Sequence, residues 1–100
     1  MKISIITVSY NSENFIESCI NSIISQSYKD IEHIVIDGDS SDGSKDIISK
    51  YKDSFCYSVS VSDKGVYHAM NKGIKASNGE YLLFLNSGDH FYSNDSLALF

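Results

Sequence analysis

Short polar and acidic residues gather at four places in the chain: Ser9-Tyr10-Asn11, Asp37-Gly38-Asp39, Asp63-Lys64-Gly65 and Asn86-Ser87-Gly88-Asp89. Each group follows a β-branched or apolar run, the place where an open parallel sheet presents ligand-binding residues. Core packing explains none of these clusters. A tyrosine at a turn apex has a π-face to offer a base. The carboxylates of a chain with net charge −5 can face a diphosphate only with a cation between them.

Each residue also has a plainer reading. Ser40, Ser41 and Asp42 stand just before a helix and read as cap and turn residues. Asp37 and Asp39 are open to either reading. Asp89 follows the most apolar strand, with no helix beginning at once, and reads as functional. Three rival chemistries fail on their motifs. The chain has no G-x-G-x-x-G after its first strand and no G-x-x-x-x-G-K-[ST] anywhere. The run from Asp37 starts like a calcium loop, but Asp42 holds the glycine position and Ile48 the glutamate position. Ser9 and Ser87 have no G-x-S-x-G elbow. His33, His68 and His90 form no helical pair, and His33 reads as a strand residue.

These clusters need a frame. Ile3 to Val8 reads as a buried strand, and Phe15, Ile16, Cys19, Ile20, Ile23 and Ile24 then recur at helical spacing, capped by Asn11 or Ser12. Ile31 to Ile36 is a second strand, and Ile47, Ile48 and Tyr51 mark a short helix. Tyr57, Val59 and Val61 alternate with serines as a half-exposed strand. Val66 to about Ser77 reads as a helix that Gly73 weakens, with Asn78-Gly79 as its stop. Tyr81 to Leu85 is apolar throughout, the pattern of a central strand buried on both faces. Asn94 or Ser93 would open a last helix. The alternation predicts an α/β fold, a mostly parallel sheet with helices on both faces.

The 100 residues, 42% hydrophobic and 21% charged, suit one small globular domain and exclude disorder. Acidity and scattered lysines exclude a nucleic-acid partner. Cys19 and Cys56 have no metal-ligand spacing and read as reduced. The first residues form a strand, not a signal peptide, and no stretch is long enough to span a bilayer. The expected location is cytoplasmic. The last strand lacks a covering helix, so the chain reads as a fragment of a larger domain.

In this order the clusters resemble a known family. Ile5-Ile6-Thr7-Val8-Ser9-Tyr10-Asn11 is similar to the opening strand of family 2 glycosyltransferases of the GT-A fold. Val35 to Gly43 resembles their second-strand motif, usually two acids followed by Gly-Ser-Thr-Asp-Gly. Ala69-Met70-Asn71-Lys72-Gly73-Ile74 resembles their Ala-Arg-Asn-x-Gly-Ile helix, and Gly79 to Asp89 resembles the strand that enters their Asp-x-Asp metal motif. The resemblance covers nearly the whole chain as the Rossmann-like, nucleotide-binding N-terminal half of that domain. Two departures stand out: Gly38 replaces the second acid, and Asn86-Ser87-Gly88-Asp89 carries a single carboxylate.

The resemblance implies transfer of a sugar from a nucleoside-diphosphate donor, UDP ahead of GDP, to an acceptor hydroxyl with inversion. Thr7, Ser9, Tyr10 and Asn11 would meet the nucleotide, with the Tyr10 ring on the base. Asp37 would lie near base and ribose, the contact of the missing second acid would come from Asp37 or Asp39 or be lost, and Asp63 and Lys64 would lie beside the nucleotide or sugar. Asn71, Asn86 and Ser87 complete the donor set, and Asp89 would bind Mn²⁺ or Mg²⁺. Asn86 to Asp89 together with Asp63-Lys64-Gly65-Val66-Tyr67 looks like a sub-branch of polysaccharide-building enzymes, whose acceptor would be a saccharide or lipid-linked. The catalytic base is expected beyond Phe100, as are any segments for peripheral association with the cytoplasmic face of a membrane. Two other classes fit less well. A nucleotidyltransferase usually has a Gly-rich, basic loop where this chain has Ser9-Tyr10-Asn11-Ser12, and a non-catalytic nucleotide-binding module would keep the fold alone.

Overall fold

Ile3, Ile5, Ile6, Ile34, Val35 and Ile36 are all buried to 1% exposure or less, which requires their two strands to lie inside a sheet covered on both faces. The computed structural model, which describes residues 1–62, 66–88, 91, 96 and 97, has this arrangement. In chain order the elements are β1 (Ile3–Ser9), α1 (Ile16–Ile24), β2 (Ile31–Asp37), α2 (Ser44–Lys50), β3 (Tyr57–Ser60), α3 (Val66–Ala76) and β4 (Tyr81–Phe84). The strands form one sheet in the order β3-β2-β1-β4, and all three pairings are parallel.

The pleat sends alternate residues to opposite faces. Ile3 and Ile5 pack with Cys19 and Ile23 of α1, and Val35 with Ile16, Ile20 and Ile48 of α1 and α2. On the other face Ile6, Ile34 and Ile36 meet Ala69 of α3. The helix period of α1 is confirmed, but its apolar stripe is narrower than expected: Phe15 and Ile24 are exposed.

The apolar run from Tyr81 is not the centre of the described sheet. β1 and β2 hold that place, and β4 lies at an edge with Tyr81 50% and Leu82 44% exposed. An apolar run reports covered faces, whereas order in a sheet is set by which strand edges pair. Leu83, Phe84 and Leu85 do pack inward, against the clusters of Ile5 and Ile6. The start of α1 also differs from expectation. Its cap residue is Phe15, with no side-chain capping bond. The Ser12 carbonyl accepts from the N–H groups of Phe15 and Ile16 instead. Residues 93 and 94, where a last helix was expected, lie outside the described residues.

Gly73 sits mid-helix because of the sheet beneath it. A Cβ there would come within 2.4 Å of Ile6 Cγ2, so the glycine lets α3 lie close on β1. Among the described residues no helix is long and apolar enough to cross a membrane.

Candidate functional site

Parallel register sets the site. Ser9 of β1 stands opposite Asp37 of β2, and Asp37 opposite Ser60 of β3. Beyond Phe84, Ser87 N–H still donates to the Val8 carbonyl at 3.2 Å. Residues 9–11, 37–39 and 86–88 therefore share the carboxyl edge of one sheet. β1 has β2 on one side and β4 on the other, so the crossover direction reverses there. Such a switch point opens the crevice in which α/β sheets bind ligands.

Not all of the expected residues face that crevice. Asp37 is fully buried. Its carboxylate accepts from Ser40 N–H at 2.9 Å, Ser40 Oγ at 2.6 Å and Ser60 Oγ at 2.7 Å. It is a loop-forming acid that ties the ends of β2 and β3 together. Thr7 is also fully buried, with its hydroxyl 2.8 Å from His33 Nε2. Ser9 is buried and bonded through Oγ to Ser12 Oγ at 2.8 Å. These three side chains hold the scaffold, and in this conformation they turn away from solvent.

Asn11 belongs to a second device that the sequence did not disclose. The loops after β1 and β2 are laced together across 29 to 32 residues. Asn11 N–H donates to Ser40 Oγ, Ser12 N–H to Ser44 Oγ and Glu13 N–H to Asp42 Oδ2. In return Ser41 N–H donates to Asn11 Oδ1 and Gly43 N–H to Glu13 Oε2. Asp42 also accepts from Ser44 N–H at 2.9 Å, a turn contact ahead of α2, whose cap residue is Gly43 with no side-chain capping bond. The Asp42 carboxyl is held below the ordinary range because these hydrogen bonds outweigh the desolvation that would raise it. Sequence reasoning missed Glu13 and Ser44, since nothing local marks a bond between two loops.

Tyr10 and Asp39 remain as outward-facing groups. Tyr10 is 65% exposed. A Cβ at Gly38 would stand 3.4 Å from its ring, so the residue replacing the second acid gives the ring its seat. Asp39 occupies the position that the resemblance aligns with the motif's glycine. It adopts φ 60°, a left-handed conformation that Asp tolerates better than most residues. Its carboxylate is paired with Lys45 at the surface. Asn71 and Asn86 are exposed and Ser87 half-buried. Asp63, Lys64 and Asp89 lie outside the described residues. Among the described residues no three His, Cys, Asp or Glu side chains converge as metal ligands. A groove of about 670 Å³ runs along β3 and α3, lined by Glu32, Tyr57, Val59 and Lys72 among others. It includes none of Tyr10, Asp39 and Asn86.

His33, buried between sheet and helices, has Phe55 edge-on at 5.1 Å between ring centroids. Its Nδ1 has no hydrogen-bond partner. Burial lowers its pKa to about 4, so it is neutral at physiological pH.

This sheet order and edge define an α/β domain of the GT-A glycosyltransferase fold. The chain belongs to glycosyl transferase family 2, whose model matches residues 4–99. An uncharacterised glycosyltransferase of Mycobacterium tuberculosis is 40% identical over 97 residues, which are 96% of this chain and 37% of that protein. The poly(ribitol-phosphate) beta-glucosyltransferase of Bacillus spizizenii is 38% identical over 99 residues, covering 93% of this chain and 16% of that one. Among solved structures, residues 1–349 of S. aureus TarS in complex with UDP-GlcNAc superpose with TM-score 0.84 and 29% identity. That match covers 99% of this chain and 29% of the other. Glucosyl-3-phosphoglycerate synthase of M. tuberculosis, in complex with Mn²⁺ and UDP, gives TM-score 0.73 and 26% identity over 89% of this chain and 35% of that one. The chain thus spans 37% of the length of the first of these relatives and 16% of the second.

Proposed function

We propose that residues 1–100 form the donor-binding part of an inverting glycosyltransferase that uses a UDP-sugar and a divalent cation. The observation that carries this reading is the exposed Tyr10 ring, seated on Gly38 at the same sheet edge as Asp39 and Asn86. A ring so placed costs apolar exposure and is well placed to stack on a base. The solved relatives with UDP-GlcNAc and with UDP and Mn²⁺ support the choice of nucleotide and metal.

The donor set fits a cation shared with the ligand better than one caged by protein. Small divalent cations are often held by one or two carboxylates together with substrate phosphates. Asn86-Ser87-Gly88-Asp89, with one carboxylate and neutral oxygens around it, has that composition, and Asp89 is the assigned ligand. When bound, the metal would neutralise charge on the leaving nucleoside diphosphate. The chain's own residues orient the donor: Tyr10 holds the base, and the laced loops fix Tyr10. A base for the acceptor hydroxyl is also required for one-step inversion, and it is assigned to sequence outside these residues. The acceptor in this reading is a saccharide or a lipid-linked acceptor in surface polysaccharide synthesis, and the site of action is the cytoplasm or the cytoplasmic face of the membrane.

Calorimetric titration with UDP tests the reading. Binding should require Mn²⁺ or Mg²⁺ and vanish with a chelator. Asp89→Asn, which removes the charge and keeps the shape, should abolish it while leaving the ligand-free melting temperature nearly unchanged. Equal affinity with and without metal would sink the proposal.

A further inference from the structure

The face of α1 that meets the sheet is not wholly apolar. Cys19, Ser22 and Gln26, spaced by three and four, line up along it and just beyond its last turn. Each bonds to the backbone of the segment after β4. The Cys19 thiol reaches the Asn86 carbonyl at 3.7 Å, Phe91 N–H donates to Ser22 Oγ at 3.1 Å, and Leu97 N–H donates to Gln26 Oε1 at 3.0 Å. The helix side of each contact is itself braced. Ser22 Oγ donates to the Cys19 carbonyl at 2.8 Å, and Gln26 Nε2 to the Ser22 carbonyl at 3.0 Å. Gln26 is fully buried and Leu97 nearly so, so the bond between them stands where an unpaired N–H would be costly.

The Cys19 contact extends inward. Its sulfur lies 3.9 Å from Thr7 Oγ1, which lies 2.8 Å from His33 Nε2. A carbonyl at the end of this chain can only accept. The Cys19 thiol donates to it, and the contacts through Thr7 join that carbonyl to the buried His33 ring.

We infer that Cys19 and Ser22 of α1, with Gln26 just beyond it, are positioning residues that fix the backbone carrying the Asn86-Ser87-Gly88-Asp89 motif. Resting on the donor-site reading above, the inference adds what holds the metal-binding segment in place. Asn86 O and Phe91 N are pinned on α1, and Ser87 N–H is pinned on β1. Asn86 and Ser87 are thus ordered by the fold before a ligand arrives, which lowers the entropic cost of binding at that edge.

Ser22 gives the cleanest test, because it is only half-buried. Ser22→Ala removes the acceptor for Phe91 N–H. Ser22→Thr retains a hydroxyl that can still bond the carbonyl three residues back. The chain is titrated with Mn²⁺ at fixed UDP, and with UDP at saturating Mn²⁺. Ser22→Ala should raise the half-saturating Mn²⁺ concentration about fivefold, the scale of one net hydrogen bond, and Ser22→Thr should stay near wild type. UDP affinity at saturating Mn²⁺ should change little in either. If Ser22→Ala titrates like wild type, or Ser22→Thr is equally impaired, the positioning inference is overturned and the donor-site reading stands. If the wild-type chain shows no Mn²⁺-dependent UDP binding, the donor-site reading fails and takes the inference with it.

Discussion

Gly73 of α3 lies so close to Ile6 of β1 that an added methyl group would stand 2.4 Å from Ile6 Cγ2 and 3.3 Å from its Cδ1. Ile6 is fully buried and stiff at χ1, so it has little room to yield. Helix propensity favours alanine over glycine by about 1 kcal/mol, while overpacking a core costs about 1–3 kcal/mol. The clash should win. Gly73→Ala is expected to lower the melting temperature, and a scanning calorimetry trace with an unchanged or raised midpoint would show that α3 can lift off the sheet.

Tyr10 is exposed and rests on Gly38, so its removal should leave the fold intact. Tyr10→Ala is expected to weaken UDP binding by about 1–3 kcal/mol, the range for base–aromatic stacking, and Tyr10→Phe should bind nearly as wild type. Loss of thermal stability in Tyr10→Ala without a separate binding defect would make the ring a packing residue instead.

Asp37 should behave in the opposite way. Asp37→Ala removes the acceptor of three hydrogen bonds at a fully buried position. Leaving Ser40 N–H and two hydroxyls without it should cost about 2–4 kcal/mol of stability. Denaturant unfolding of Asp37→Ala beside Asp39→Asn makes the contrast. Asp39 is exposed with a surface partner, and its change should shift stability by well under 1 kcal/mol. Comparable midpoints for the two variants would remove Asp37 from the scaffold.

His33 gives a pH dependence. Its pKa falls from 6.5 to about 4 on folding because burial disfavours the charged ring. Between those values the unfolded chain binds a proton that the native chain does not, so stability rises with pH across that window. The contribution of His33 is complete above about pH 6.5 and is lost as pH falls towards 4. His33→Phe should flatten that part of the stability–pH curve. A slope unchanged by His33→Phe between pH 6.5 and 4.5 would assign it to other groups.

The sequence by itself determined the order of the described elements, the parallel α/β class and the meeting of Ser9-Tyr10-Asn11, Asp37-Gly38-Asp39 and Asn86-Ser87-Gly88 at one edge. Periodicity is local, as in Ile16-Cys19-Ile20-Ile23, and the rule that ligands sit past strand ends needs only the order of elements. Family membership was legible too, because four motifs keep their order along one chain. Tertiary structure alone decided which polar residues serve the scaffold and which face outward. Asp37 and Asp39 are two residues apart and chemically identical, yet one is sealed by Ser40 and Ser60 while the other projects on a left-handed backbone. Their difference lies in Ser60, 23 residues from Asp37, and in the reach of the loop between them. The same holds for Glu13 with Gly43, Ser22 with Phe91 and Gly73 with Ile6. A contact between residues far apart in the chain leaves no periodic mark, because each partner's type is set by a neighbour that only folding brings near.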